Sequence, residues 1–145
     1  MGRFDGRTVV VVGAGAIGAG WSNGKACAVT YAREGATVFC IDYLLPRAEE
    51  TAHIIAGEGG RAVALQADET DEAALGAAVE VAVEQTGRLD VMHNNVGAGG
   101  SPGAPDKVSL KEFQRDIAQN LTTAFLGTRL AVPVMRRGHA AAAAE

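Results

Sequence analysis

Two hydrophobic periods alternate along this chain. Short apolar runs rich in β-branched residues suit buried strands, while longer stretches with apolar positions three and four apart suit helices covered on one side. The first run, residues 7–12, contains four consecutive valines, Val9, Val10, Val11 and Val12, as expected of a strand buried on both faces. It stops at Gly13, and glycines recur at Gly15, Gly18, Gly20 and Gly24 around the start of a helix expected over 23–34 and closed by Gly35. A second strand, 37–41 with Asp42 at its end, leads to a helix over 46–58 with Pro46 in its first turn and Gly59-Gly60 as its stop. The third strand, 61–66, is followed by Ala67 and Asp68; the helix after it, 71–85, puts Leu75, Val79 and Ala82 on one face. A fourth strand over 89–93 runs into Asn94, Asn95, Val96 and Gly97, and the glycine- and proline-rich stretch 97–105 is a loop. Ser109 and Glu112 have capping-box spacing. Beyond them Phe113, Ile117, Leu121 and Phe125 recur every fourth residue as an apolar stripe.

Strands alternating with helices through short loops imply parallel βαβ units with right-handed crossovers. The expected fold class is α/β: a Rossmann-type doubly wound parallel sheet, incomplete, with about four strands and four helices in strand order 3-2-1-4. A dinucleotide-binding domain is expected over 1–138, and a low-complexity alanine tail over 139–145.

Composition narrows the function classes. The 145 residues are 48% hydrophobic and 21% charged, enough for one domain with a real core. A net charge of -4 without a basic patch argues against nucleic acid or an anionic membrane as partner. Cys27 and Cys40 are too few for a disulfide scaffold and read as small buried hydrophobes, and no Cys/His spacing suits a metal. No apolar run approaches the ~20 residues that span a membrane, and the N-terminus has no apolar signal region, so a soluble cytoplasmic protein is expected.

The candidate chemistry sits at the strand ends. Gly13, Gly15 and Gly18 satisfy G-x-G-x-x-G between a strand and a helix, where the backbone can approach a pyrophosphate and the helix start favours an anion. Asp42 supplies the acid that closes the second strand; its carboxylate can accept both ribose hydroxyls of an adenosine and would repel a 2′-phosphate. No arginine follows it directly, so NAD is favoured over NADP. Asp68 can accept from an adenine amino group, or simply shape the turn before a helix. Asn94 and Asn95 can tie neighbouring strands together, or merely favour a loop.

The glycine turn, Asp42, Ala67-Asp68, Asn94-Asn95-Val96-Gly97 and Gln119-Asn120-Leu121 fall in the order seen in short-chain dehydrogenases/reductases, which this chain resembles from Gly6 to about Gly138. The resemblance implies that Gly13, Gly15, Gly18 and Gly24, with Asn23 beside the last, line the pyrophosphate. It likewise implies that Asp42 holds the ribose and Asp68 the adenine, and that Asn94 and Gly97 belong to the family's Asn-Asn-Ala-Gly segment. Asn120 matches the helix asparagine that supports the family's proton relay, and His93 reads as packed rather than catalytic. Two departures stand out. Gly24 lies eleven residues after Gly13, where the family's turn usually spans six; the insert, about residues 19–23, holds Trp21, either a lip over the phosphates or a packing residue. Enoyl-acyl-carrier-protein reductases also lengthen this turn but lack Asn-Asn-x-Gly as a group. The second departure is chemical: the family transfers hydride with Ser, Tyr and a Lys four residues after the Tyr, whereas Tyr31 is followed there by Gly35 and Tyr43 by Arg47.

The sequence therefore reads as the cofactor-binding half of an NAD(P)-dependent oxidoreductase, truncated or frameshifted before its catalytic residues and inactive alone, with an unknown alcohol or carbonyl as the family's substrate. A non-catalytic NAD-binding module that pairs with another chain is the alternative, and a Rossmann methyltransferase a more distant one. Unpaired at its last strand and uncovered at its last helix, the chain is expected to be marginally stable and to form homo-oligomers or self-associate.

Overall fold

The computed structural model describes residues 2–142, with side chains through 138. The elements run β1 (Thr8–Val12), α1 (Asn23–Arg33), β2 (Thr37–Asp42), α2 (Leu45–Gly57), β3 (Arg61–Gln66), α3 (Glu72–Thr86) and β4 (Val91–Asn94). The fourth expected helix is a continuous run of α4 (Leu110–Ile117), a π-helical turn (Ala118–Thr122) and α5 (Thr123–Ala142). All pairings are parallel and the strand order is β3-β2-β1-β4, as the alternation predicts. The alanine tail is helical to Ala142; its last residues, 143–145, lie outside the described residues.

The valine run explains the layering. Side chains alternate across a strand, so Val9 and Val11 face one way, with Val38, Cys40, Ala28, Val29 and Ile55, under α1 and α2. Val10 and Val12 face the other way, with Phe39, Ile41, Leu75, Val79 and Leu126, under α3 and α5. Helices on both faces make β1 fully buried and define a doubly wound sheet. Cys40 is buried as expected and its burial pushes the thiol up to about 12; Cys27 is only half-buried.

Strand β4 begins and ends later than its pattern suggests. Asp90, just before it, spends its carboxylate on the Thr8 amide (2.8 Å) and Arg7 (3.0 Å), which clamps the entry to the sheet. At the other end the Asn95 amide still reaches the Val12 carbonyl at 3.0 Å, which extends the ladder.

The last helix departs most from expectation. Its capping box is present, with Ser109 Oγ accepting from the Glu112 amide and the Glu112 carboxylate accepting from the Ser109 amide. The π-helical turn within it was not legible: Asn120 Nδ2 donates to the Asp116 carbonyl at 2.9 Å, taking the acceptor that a regular helix offers to the backbone N–H of residue 120. Leu110, Phe113, Ile117, Leu121 and Phe125 stay on the surface, 39 to 70% exposed.

Candidate functional site

The carboxyl ends of β1, β2 and β3 and the loop after β4 enclose a cleft of about 550 Å³. The strand order reverses between β1 and β4, the place where open α/β sheets bind ligands. Gly13 turns the chain there with φ +78°, a conformation that disfavours any side chain, and the amides of Gly13 and Ala14 both donate to the Ile41 carbonyl at 2.9 Å. The turn is thereby folded over the end of β2. Gly15 follows because nothing larger fits: a Cβ there would strike the Asp42 carboxylate and Arg47.

Asp42 is only 7% exposed. Its Oδ2 accepts from the Gly15 amide and its Oδ1 from the Leu44 amide, each at 3.0 Å, so the carboxylate is oriented by backbone alone and lines the cleft. Two amides leave lone pairs on both oxygens for a ligand's hydroxyls.

The insert forms a closed loop. Ser22 caps α1, accepting from the Lys25 amide at 3.1 Å, and its hydroxyl donates to the Gly15 carbonyl at 2.7 Å. Lys25, almost wholly buried, donates to the Gly20 carbonyl (3.0 Å) and to Glu50 on α2 (2.8 Å). Gly24 packs on the Gly13 carbonyl, whereas Gly18 and Gly20 stand in open space. Trp21 is 61% exposed, so the packing alternative for it does not hold; Ile17, on the same loop, lines the cleft.

Asn95 makes the inter-strand tie foreseen for the asparagine pair, its Nδ2 donating to the Gly13 carbonyl at 3.2 Å. Asn94 instead turns toward α5, donating to Thr128 Oγ1 at 3.2 Å, and its Oδ1 is buried without a hydrogen-bond partner among the described residues. Asn120 Oδ1 accepts from the Ala98 amide at 3.0 Å, so the π-helical turn holds the loop after β4, and Gln119 from the same turn lines the cleft. Asp68 lines it too; its Oδ1 is engaged by the amide and hydroxyl of Thr70 at 2.9 and 2.6 Å, a local turn that leaves both earlier readings of this residue standing.

Of the residues singled out from sequence, Gly13, Gly15, Asp42, Asp68, Asn95 and Gly97 meet at the cleft; Gly18, Asn23, Gly24, Asn94 and Asn120 surround or brace it without lining it. Arg47, Glu69 and Ser22 line it and were missed, and Gln119, quoted only as part of a motif, lines it too. Arg47 and Glu69 look like ordinary solvated helix-start and turn residues, and only the convergence of strand ends brings them in. His93 is packed as expected, with Nδ1 3.2 Å from the Tyr31 hydroxyl, and burial lowers its pKa.

The sequence pattern of the family described as short chain dehydrogenase matches residues 7–143. Glucose 1-dehydrogenase 2 of Bacillus subtilis (strain 168) is 36% identical over 137 residues, 94% of this chain and 51% of that protein. The 7alpha-hydroxysteroid dehydrogenase of Escherichia coli (strain K12) is 32% identical over 135 residues, 93% of this chain and 50% of that one. Among solved structures, one assigned to the short-chain dehydrogenases/reductases from Burkholderia xenovorans superimposes with a TM-score of 0.90 at 39% identity, covering 95% of this chain and 54% of its own. A 7alpha-hydroxysteroid dehydrogenase complexed with NADH and 7-oxo glycochenodeoxycholic acid superimposes with a TM-score of 0.84 at 32% identity, covering 94% and 51%. The chain thus spans about half the length of the curated relatives it matches. On fold, strand order and sequence alike, the chain belongs to the short-chain dehydrogenase family.

Proposed function

We propose that the cleft binds a nicotinamide dinucleotide, NAD in preference to NADP, and that the chain is the cofactor-binding portion of an oxidoreductase acting on an alcohol or carbonyl substrate. The observation that carries this reading is the Asp42 carboxylate, held by the Gly15 and Leu44 amides beside the glycine turn and presented to the cleft. Gly13 and Gly15 take the pyrophosphate, and Gly18, Asn23 and Gly24 shape the loop and helix start around it. Asp42 takes the adenosine ribose, Asp68 the adenine, and Asn94 and Gly97 support the nicotinamide side. Asn120 braces the loop after β4 and is the position from which a proton relay would be supported. The bound nicotinamide supplies the hydride acceptor or donor. A relative of this chain is complexed with NADH, which favours the same cofactor class.

These 145 residues contain no tyrosine followed by lysine four positions on. The acid/base pair of the family's reaction therefore has to come from outside them, and the chain by itself turns nothing over. Titration with NADH is expected to enhance and blue-shift its fluorescence with weak, saturable affinity. NAD with a panel of secondary alcohols is expected to yield no absorbance at 340 nm; NADH formation by the chain alone would refute the inactive reading, and absent NADH binding would refute the whole. A non-catalytic module pairing with another chain is the second reading, favoured by the same missing pair, and co-purification of a chain carrying Tyr and Lys would support it. Membership of the dehydrogenase family sets the methyltransferase aside.

Self-association belongs to the same proposal. Five large apolar side chains line the exposed side of α4, the π-helical turn and the start of α5, and among the described residues β4 pairs only with β1. Burying such a stripe is worth roughly 25 cal/mol per Å². Light scattering is expected to find dimers or larger species at micromolar concentration. Phe113→Glu with Phe125→Glu is expected to shift the population to monomer; a wild-type chain that stays monomeric would contradict this. Among the described residues no helix is long and apolar enough to cross a membrane, and we read the protein as cytoplasmic with no nucleic-acid partner.

A further inference from the structure

Four charged side chains gather at the adenosine end of the cleft: Asp42 at the end of β2, Asp68 and Glu69 after β3, and Arg47 in the first turn of α2. Glu69 is the anomaly among them. It is 7% exposed, yet it enters none of the ion pairs found among the described residues, nor does Arg47. A carboxyl so nearly removed from water is destabilising unless something compensates it. Burial holds it above the usual carboxylate range; the backbone amides of Glu69 and Tyr43 pull it down, while the charges of Asp42 and Asp68 push it further up. Two backbone amides are its compensation, no cation pairs with it among the described residues, and it lines the same cleft as Asp42, Tyr43 and Arg47.

We propose that Glu69 is a cofactor-selecting residue that acts with Asp42 to exclude a 2′-phosphate from the adenosine pocket. The inference rests on the dinucleotide reading above and adds a residue to it. Asp42 can accept a hydrogen bond from a free 2′-hydroxyl, but a 2′-phosphate at that position meets its charge. Arg47, in the same cleft, offsets part of that repulsion because a guanidinium attracts phosphate. Glu69 restores it. With walls that exclude water on one side, a second carboxylate repels the phosphate more strongly than it would in solvent. The four groups thus divide into two carboxylates and a cation that contest the 2′ position, with Asp68, the residue before Glu69, left to the adenine. The chemical class selected is an adenosine with an unsubstituted ribose.

The test compares NADH with NADPH by fluorescence titration. Wild-type chain is expected to bind NADH more tightly, and Glu69→Gln to shrink the ratio of the two dissociation constants about tenfold, chiefly through tighter NADPH binding. Glu69→Met gives the same expectation should the glutamine variant fold poorly, since it removes the buried carboxyl and keeps an unbranched shape. Glu84→Gln serves as the control: it is exposed in the last turns of α3, which run toward the amino edge of the sheet, away from the cleft. Its ratio is expected to match wild type. A ratio within twofold of wild type in both Glu69 variants, or an equal change in Glu84→Gln, would overturn the role of Glu69 while leaving NADH binding intact. Wild-type chain that binds neither dinucleotide, or prefers NADPH, would overturn the NAD reading itself, and this inference with it.

Discussion

Asp42→Ala is expected to weaken NADH binding by about 10- to 100-fold while the fold persists. The carboxylate is oriented before any ligand arrives, because the Gly15 and Leu44 amides hold one oxygen each. Two ribose hydroxyls then meet acceptors already in position, and hydrogen bonds to a charged group are worth roughly 1.5–3 kcal/mol each. At the low end of that range, losing one to two such bonds corresponds to about one or two decades of affinity at about 1.4 kcal/mol per decade. The same substitution removes a negative charge from the 2′ position, so NADPH should lose less than NADH or even gain. Alanine leaves two amides without their acceptor, but at a cleft open to water they can be solvated. Fluorescence titration of both dinucleotides, with circular dichroism as the check on folding, tests this. Equal NADH affinities for Asp42→Ala and wild type would remove Asp42 from the site.

Gly24→Ala is the change expected to damage the fold most. A single added methyl would land on the Gly13 carbonyl and against Asn95 Nδ2, both already committed: the carbonyl accepts from that same amide. Neither backbone nor the buried start of α1 can give way without moving the helix off β1. Overpacking of this kind typically costs 1–3 kcal/mol, and loss of the Asn95 bond adds about 1. For a domain of this size a loss of about 3 kcal/mol lowers the melting temperature by roughly 10 °C. Gly57→Ala, at the end of α2 in open space, is the matched comparison and should be neutral or slightly stabilising, as alanine favours helix. A Gly24→Ala melt that overlays the wild type would show that helix and turn are not in the contact described. Because Asn95 and Gly13 also carry the two walls of the cleft, NADH affinity should fall in parallel.

The secondary structure was largely legible because its signals are local. Alternate valines of β1 go to opposite faces whatever lies beyond them, and Gly35 and Gly59 both adopt positive φ at the helix ends they were expected to close. Strand order followed from the handedness of crossovers, which each βαβ unit carries in itself. The π-helical turn escaped notice because it depends on one side chain, Asn120, competing for the Asp116 carbonyl while its other end reaches Ala98 in a distant loop. Local periodicity cannot register a contact of that range.

The site divides along the same line. Asp42 and the glycines were named because a motif of fixed spacing must follow a strand, and chain geometry then puts acid and turn at one edge of the sheet. Which asparagine spans to the turn was beyond the sequence: it is Asn95, and Asn94 faces α5, since successive side chains at a strand end point to opposite sides. Burial of Lys25 under the insert and of Glu69 in the cleft wall was equally out of reach. Both are charged residues whose types predict solvent, and their surroundings include residues distant in the chain: Glu50 for Lys25, and Asp42 and Tyr43 for Glu69. Spacing along the backbone dictates elements and their order; the dielectric around a given carboxyl is a property of what converges on it, and only the folded arrangement decides that.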